Sequence, residues 1–268
     1  MITIYNTEEG RLREREEITP GAWVDLCAPT EEEILRVSTQ LELDPAAIRA
    51  ALDEEERSRI EAEEDYLLVL VDTPCVEEQS KRGFVYTTIP FGIILTQDNI
   101  ITVCLKESAL ARAFTDSPVK NFSTRKKNRM TLQMLYRNAT LFLFYLRELE
   151  KASNRVENEL HVSMRNKELI QMLGLEKSLV YFSTSLKGNE LVLEKLLRMD
   201  FVKNFPDDTD LLEDVIIENK QAIEMANIYR DILNGTMNTF SSVMSNNLNT
   251  VMKVLASLTV VLTIPTII

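Results

Sequence analysis

Histidine occurs once and cysteine three times in these 268 residues. The side chains that most often ligate transition metals or act as nucleophiles are therefore nearly missing. Cys27, Cys75 and Cys104 lie far apart within or beside apolar runs, which suits small buried hydrophobes better than a disulfide framework or a zinc site. His161 falls in a charged helical stretch and reads as a surface residue. A Gly-rich phosphate loop, a second histidine and a Ser, Cys or Asp nucleophile signature are all absent, so no enzyme motif is present and the chain is not expected to be an enzyme. Positive charge is also in short supply: 30 Lys and Arg against 42 Asp and Glu leave a net charge of −12. Nucleic acid, which demands clustered Lys and Arg, is disfavoured as a partner, and cations are the more natural company. The N-terminus runs from Met1-Ile2-Thr3-Ile4-Tyr5 into the charged stretch Glu8 to Glu17 without the basic and apolar regions of a signal peptide. The polar bulk is expected to stay in the cytoplasm.

What is present is a chain 45% hydrophobic and 27% charged, with only 7 Gly and 8 Pro. Its length suits one large domain or two of medium size. Acid density peaks at Asp53-Glu54-Glu55-Glu56 and Glu61-Ala62-Glu63-Glu64-Asp65, and Arg125-Lys126-Lys127 is the one compact basic run; such runs are ordinarily solvated faces.

The first 120 or so residues mix short strands and helices. Ala22 to Cys27 is β-like, and Thr30 with Glu33 three residues later makes a capping-box pattern ahead of Ile34-Leu35 and Val37. Asp44-Pro45 opens a short helix through Leu52, with Asp at the N-cap and Pro at the first helical position. Tyr66 to Thr73, Phe84 to Thr96 and Asn99 to Leu105 are rich in β-formers and read as strands, with Pro90 placed at an edge or bulge. From about Arg129 the chain is nearly all helix. Leu132, Leu135, Ala139, Phe142, Leu146 and Leu149 form one stripe, and Leu175, Leu179, Phe182, Leu186, Leu193 and Leu196 a second. The two stripes predict an antiparallel hairpin with its connection near Asn166 to Gly174. Pro206-Asp207-Asp208 then turns into a last helix that, if continuous to Ile268, is about 90 Å long at 1.5 Å per residue. Along it Leu212, Val215, Asn219, Ala222, Ala226, Tyr229, Leu233, Thr236 and Phe240 recur at threes and fours. That seam wants neighbouring helices, either the chain's own hairpin or other subunits.

The last fifteen residues, Val254 to Ile268, carry no charge. They read as a membrane span cut short, because a crossing needs roughly 20 apolar residues. A buried C-terminal helix is the alternative, but the run continues from a polar helical stretch and has Lys253 at its start, as a cytoplasmic flank does. Within the last thirty residues Asn238, Ser242, Ser245, Asn249, Met252, Leu255, Thr259, Thr263 and Thr266 share one helical face. Threonines in a membrane helix can bond their own i−4 carbonyls, but continuity with Asn249 and Ser245 favours a face lining a water-containing axis.

Ser245-Asn246-Asn247-Leu248-Asn249-Thr250-Val251-Met252-Lys253-Val254-Leu255, followed by Thr263-Ile264-Pro265-Thr266, resembles the stalk-to-first-membrane-helix signature of CorA-type magnesium transporters. Arg230-Asp231-Ile232-Leu233, Trp23-Val24-Asp25-Leu26 and Asp44-Pro45 are similar to the same family, so the resemblance spans almost the whole chain. It implies a membrane-bound homopentamer that conducts divalent cations. Its expected layout is a cytoplasmic α/β domain of mixed sheet and flanking helices (1–128), a long helical hairpin (129–206), a stalk helix (207–250) and part of a first transmembrane helix (251–268). The sequence ends before the family's Gly-Met-Asn loop and second membrane helix, so this stretch alone is expected not to conduct. Asn249 is then expected to hold a hydrated cation at the cytoplasmic pore mouth, with Met252, Leu255, Thr259, Thr263 and Thr266 lining the conduit and Met252 and Leu255 forming a hydrophobic gate. The resemblance further implies gating by Mg²⁺ bound between neighbouring cytoplasmic domains. The stalk acid of that site matches Asp214. The partner position holds Arg49 and Ala50, leaving Asp53, Glu54 or Glu55 as substitutes, or a plain Arg49–Asp214 ion pair with no metal switch. Mg²⁺ is the expected ion; Co²⁺, Ni²⁺ or Zn²⁺ transport by a relative, or a helical scaffold that transports nothing, are the alternatives.

Overall fold

A computed structural model describes residues 1–79, 83–116, 119, 121–163, 166–199, 201 and 206–267; the side chains of 78, 79, 83, 84, 161–163, 166 and 260–267 fall outside the description. His161, Thr263 and Thr266 are thereby outside the described side chains. The chain opens on strands β1 (Ile2–Glu8) and β2 (Arg11–Arg15), which form a hairpin that its charged sequence does not announce. Glu9 and Gly10 both adopt positive φ, the geometry that lets a two-residue turn follow the twist of its strands. Then come β3 (Trp23–Cys27), α1 (Glu31–Leu41), α2 (Pro45–Ala50), β4 (Arg59–Ala62), β5 (Tyr66–Gln79), β6 (Gly83–Thr96), β7 (Ile100–Cys104) and α3 (Ala109–Thr115). Both helix starts read from the sequence form as expected. Thr30 and Glu33 make the reciprocal capping box, and the Asp44 side chain accepts from the Ala46 N–H ahead of Pro45.

The strands assemble as one seven-stranded mixed sheet in the order β2-β1-β3-β7-β6-β5-β4, with β3 and β7 parallel and the other pairs antiparallel. Each face has its own core. Val24, Leu26, Leu70, Ile94 and Val103 pack against Ile34 and Val37 of α1 and Ile48 of α2. Gly92 lets α2 close on the sheet, because a Cβ there would stand 2.7 Å from that of Ala51. On the other face Trp23, Val71, Phe91 and Ile93 meet α3 and the long helices.

Those helices are α4 (Lys127–Ser163), α5 (Asn166–Arg198) and α6 (Pro206–Ile267). Every residue of the two hairpin stripes is buried. The hairpin turns earlier than the sequence suggested: α5 already begins at Asn166 and Gly174 lies within it, because Leu169 and Met172 carry the apolar period through that stretch. The seam of α6 packs on its own hairpin: Ala222, Ala226, Leu233 and Phe240 join Phe142, Leu146, Phe182 and Leu186, and the Asn219 amide donates to the Leu186 carbonyl at 3.0 Å.

β5 and β6 run on past β4 and β7 as a two-stranded ribbon lying on α4 and α5, which exposes strand edges that need partners. Asn189 of α5 substitutes for the missing strand, accepting from the Asp72 N–H at 2.8 Å and donating to its carbonyl at 2.9 Å, while Asn138 of α4 donates to that carbonyl too. Pro90 pairs with Asp72 in β6, one position beyond the end of the β6–β7 ladder. β6 is an inner strand, yet at Pro90 the side facing β7 is already an edge, so its missing N–H leaves no gap in the ladder.

Candidate functional site

The candidate site is built on α6. Its 62 residues give a rod of about 93 Å. Up to Phe240 one side of the rod is buried in the hairpin; beyond Phe240 none of the described side chains is buried. Val254, Leu255 and Leu258 are 65%, 56% and 55% exposed. The described apolar turns are therefore not tucked into the chain's own core, against the buried-helix alternative. After Asp231 the only charged residue is Lys253. Among the described residues no helix is long and apolar enough to cross a membrane.

Steps of three and four place Asn238, Ser242, Ser245, Asn249, Met252, Leu255 and Thr259 on one line along the rod, all exposed. Ser242 donates to the Asn238 carbonyl at 3.0 Å and Thr259 to the Leu255 carbonyl at 2.8 Å. A hydroxyl whose proton is committed to its own helix presents only lone pairs outward, which suits a cation or the water around one. The exposed Asn249 amide adds a neutral oxygen to the same line. Met252 and Leu255 follow on the same line as exposed apolar side chains.

The acidic candidates do not converge within one chain: the described residues contain no group of three or more His, Cys, Asp or Glu placed to share a metal ion. Asp214 stands exposed on α6, and Asp53, Glu54 and Glu55 stand exposed in the turn that follows α2. That turn is locally braced, since Asp53 Oδ1 accepts from the Glu55 N–H at 3.0 Å, and Glu54 lies 3.7 Å from the Lys106 ammonium. Within the chain Arg49 is engaged by Glu31 at 2.8 Å, and this bond lowers the Glu31 carboxyl pKa and raises that of the guanidinium.

Two features take on their chemistry only in the fold. Asp25 sits inside the sheet, where Trp23 Nε1 donates to Thr102 Oγ1 at 2.7 Å and Thr102 Oγ1 donates to Asp25 Oδ1 at 2.6 Å. Burial pushes its carboxyl up to about 6, and the Thr102 hydrogen bond only partly opposes this. The second is a cleft of about 700 Å³ between α3, α4 and Leu211 of α6. Its residues come from distant parts of the chain and show no common motif.

The chain is 27% identical over 257 residues to the cobalt/magnesium transport protein CorA of Methanocaldococcus jannaschii, an alignment covering 91% of this chain and 76% of that protein. The complete structure of the CorA magnesium transporter from the same organism superposes with a TM-score of 0.83 at 23% identity, covering 96% of this chain and 81% of the other. The cytoplasmic domain of ZntB from Vibrio parahaemolyticus shares the fold at 12% identity, with a TM-score of 0.67 over 92% of this chain and 97% of that domain. Residues 21–268 match the family described as CorA-like Mg²⁺ transporter protein, and to this family the chain belongs.

Proposed function

We propose that the chain is the cytoplasmic part and membrane-entering helix of a homopentameric channel that passes divalent cations, chiefly Mg²⁺ and also Co²⁺, down the membrane potential. Proteins of this family are transporters, not enzymes. The observation that carries the reading is the distal part of α6, whose uncharged polar line and apolar side chains, among the described residues beyond Phe240, are left unburied by the rest of the chain. Five such helices around an axis would bury the apolar surface against one another and the membrane, and turn Asn249 inward as a ring of amide oxygens. Mg²⁺ sheds its first water shell reluctantly, so neutral oxygens that grip it through water hold it without trapping it. Met252 and Leu255 would close the path by excluding water, and Thr259, Thr263 and Thr266 would continue it.

In the same reading cytosolic Mg²⁺ shuts the channel by bridging Asp214 of one subunit to Asp53, Glu54 or Glu55 of the next, since carboxylates facing each other repel until a divalent ion joins them. The curated relative bears cobalt and magnesium in its name, which favours these ions over Zn²⁺ or Ni²⁺. The test is Mg²⁺ uptake in cells that lack their own Mg²⁺ transport and express the completed chain, with the family's Gly-Met-Asn loop and second membrane helix present. Asn249→Ala is expected to cut uptake about tenfold or more, the scale of losing a ring of liganding oxygens. Uptake indifferent to that change, or absent from the parent protein, overturns the pore assignment and favours an oligomeric scaffold.

A further inference from the structure

The three cysteines are far apart in the sequence, but the sheet brings two of them together. β3 and β7 run parallel, and their register sets Cys27 directly beside Cys104. Residues paired in this way point to the same face of a sheet, and neighbouring strands lie about 4.8 Å apart. A disulfide needs Cα atoms roughly 4.4–6.8 Å apart, so the pair falls inside the window without movement of either strand. The backbone is pinned in that register: the Ala28 N–H donates to the Cys104 carbonyl at 2.9 Å and the Cys27 N–H to the Met1 carbonyl at 3.1 Å.

The two thiols differ in their access to solvent. Cys104 is 2% exposed and belongs to the core with Trp23 and Phe91, and its thiol donates to the Pro90 carbonyl at 3.6 Å, a weak bond that rotation about Cα–Cβ releases. Cys27 is half-buried and, among the described residues, is part of neither apolar core of the sheet. Burial pushes both thiols up, that of Cys104 to about 12, and the Cys27 sulfur adds to the rise at Cys104, so the two sulfurs lie within each other's field. Neither is a ready nucleophile, and reaction is slow and confined to the more accessible Cys27 at first. Cys75 supplies the contrast: it too is half-buried, but the residue beside it in β6 is Thr87, not a second thiol.

We propose that Cys27 and Cys104 are a reversible oxidation site, closed to a cross-strand disulfide by exchange with a small disulfide of the oxidised-glutathione class. The Cys27 thiolate attacks one sulfur of the oxidant; a mixed disulfide forms, the oxidant's own S–S bond breaks, and one thiolate leaves and takes up a proton. Cys104 gives its proton to water and attacks the Cys27 sulfur, expelling the second thiol. Two protein thiols are thereby oxidised and one small disulfide is reduced to two thiols. The new bond joins the two ends of the stretch that carries α1, α2 and β4 to β6, so it restrains the unfolded chain while leaving the folded register as it is. It depends on neither the pore nor the oligomer.

The test treats the purified chain in detergent with oxidised glutathione and counts free thiols before and after. Two of the three thiols are expected to disappear, and a non-reducing peptide map is expected to show the Cys27 and Cys104 peptides joined. Dithiothreitol should restore all three. In Cys104→Ala the reaction is expected to stop with glutathione attached to Cys27, and in Cys27→Ala the buried Cys104 should keep its thiol. The oxidised parent is expected to unfold at higher urea than the reduced parent, a difference that both variants lack. Circular dichroism of the reduced variants checks their fold, and the peptide map of the parent decides the matter even if a variant misfolds. Glutathione that stays on Cys27 of the parent, a link through Cys75, thiols left untouched, or a bond that lowers the urea midpoint each overturns the proposal.

Discussion

The two halves of α6 have the same backbone and opposite surroundings. Before Phe240 the helix lays Leu212, Val215, Ala222, Ala226 and Leu233 into its own chain, and Asn219 is tied to the Leu186 carbonyl. After Phe240 large apolar residues such as Leu248, Val251 and Leu255 stand exposed. A helix is marginal in water unless packing supports it, so the near half is held by the subunit and the far half calls for partners outside it. The contrast separates what the chain does for its own stability from what it offers to an assembly or a membrane.

The largest test of this contrast sets Phe182→Ala against Leu255→Ala. Phe182 is fully buried between the hairpin and α6, edge-on to Phe142 with ring centres 5.1 Å apart. Its truncation is expected to cost about 3–5 kcal/mol in denaturant unfolding. Leu255→Ala is expected to change the same unfolding by less than about 0.5 kcal/mol while altering assembly. Equal losses at the two sites would erase the distinction.

A smaller effect tests the junction of sheet and helices. Asn189→Ala leaves the Asp72 N–H unpaired and removes one of the two amides on its carbonyl, Asn138 remaining. The expected cost is about 1–3 kcal/mol. Amide exchange at Asp72 should quicken while α6 beyond Phe240 is unaffected. Should exchange quicken equally along the far half, the halves are coupled more tightly than their contacts imply.

The smallest effect is in pH, which probes the near region because Lys253 is the only charge after Asp231. Asp25 is raised from 3.8 to about 6, so the folded state holds its proton more tightly than the unfolded chain does. Its stabilising contribution is whole below the unfolded value and is lost as pH rises through about 6. Asp25→Asn is expected to flatten the fall in stability between these values and to stabilise the protein at pH 7 by on the order of 1–2 kcal/mol. Asp72, raised by burial in the same direction, keeps part of the slope. An unchanged pH profile would place the Asp25 carboxyl in better contact with water than the sheet suggests.

Legibility followed the range of the forces involved. The Thr30–Glu33 box and the Asp44-Pro45 start are local hydrogen-bond chemistry, and both could be read directly. The β1–β2 hairpin was hidden because its turn, Glu9-Gly10, is not one of the usual turn pairs and its second strand, Arg-Leu-Arg-Glu-Arg, is an exposed edge with almost no apolar alternation. β4 was hidden in an acidic run for a similar reason: it is four residues long and lies at the sheet margin. In the site, the line from Asn238 to Thr259 was legible from helical period alone. The cleft with Arg112 and Arg137 was not, because it exists only where three separate helices meet.

Residue spacing alone sets the periodic elements: the two hairpin stripes, the α6 seam, the uncharged tail and the polar line upon it. Each follows from the spacing of side chains along one helix, which no distant contact needs to settle. The tertiary structure decided which way each face looks. It turned the α6 seam onto its own hairpin instead of another subunit, gave Arg49 to Glu31, tied Asp25 to Thr102, and set Asn189 against the open edge at Asp72. The choice among such partners depends on which surfaces the whole fold brings together, and that is a property of burial and three-dimensional position, not of residue order.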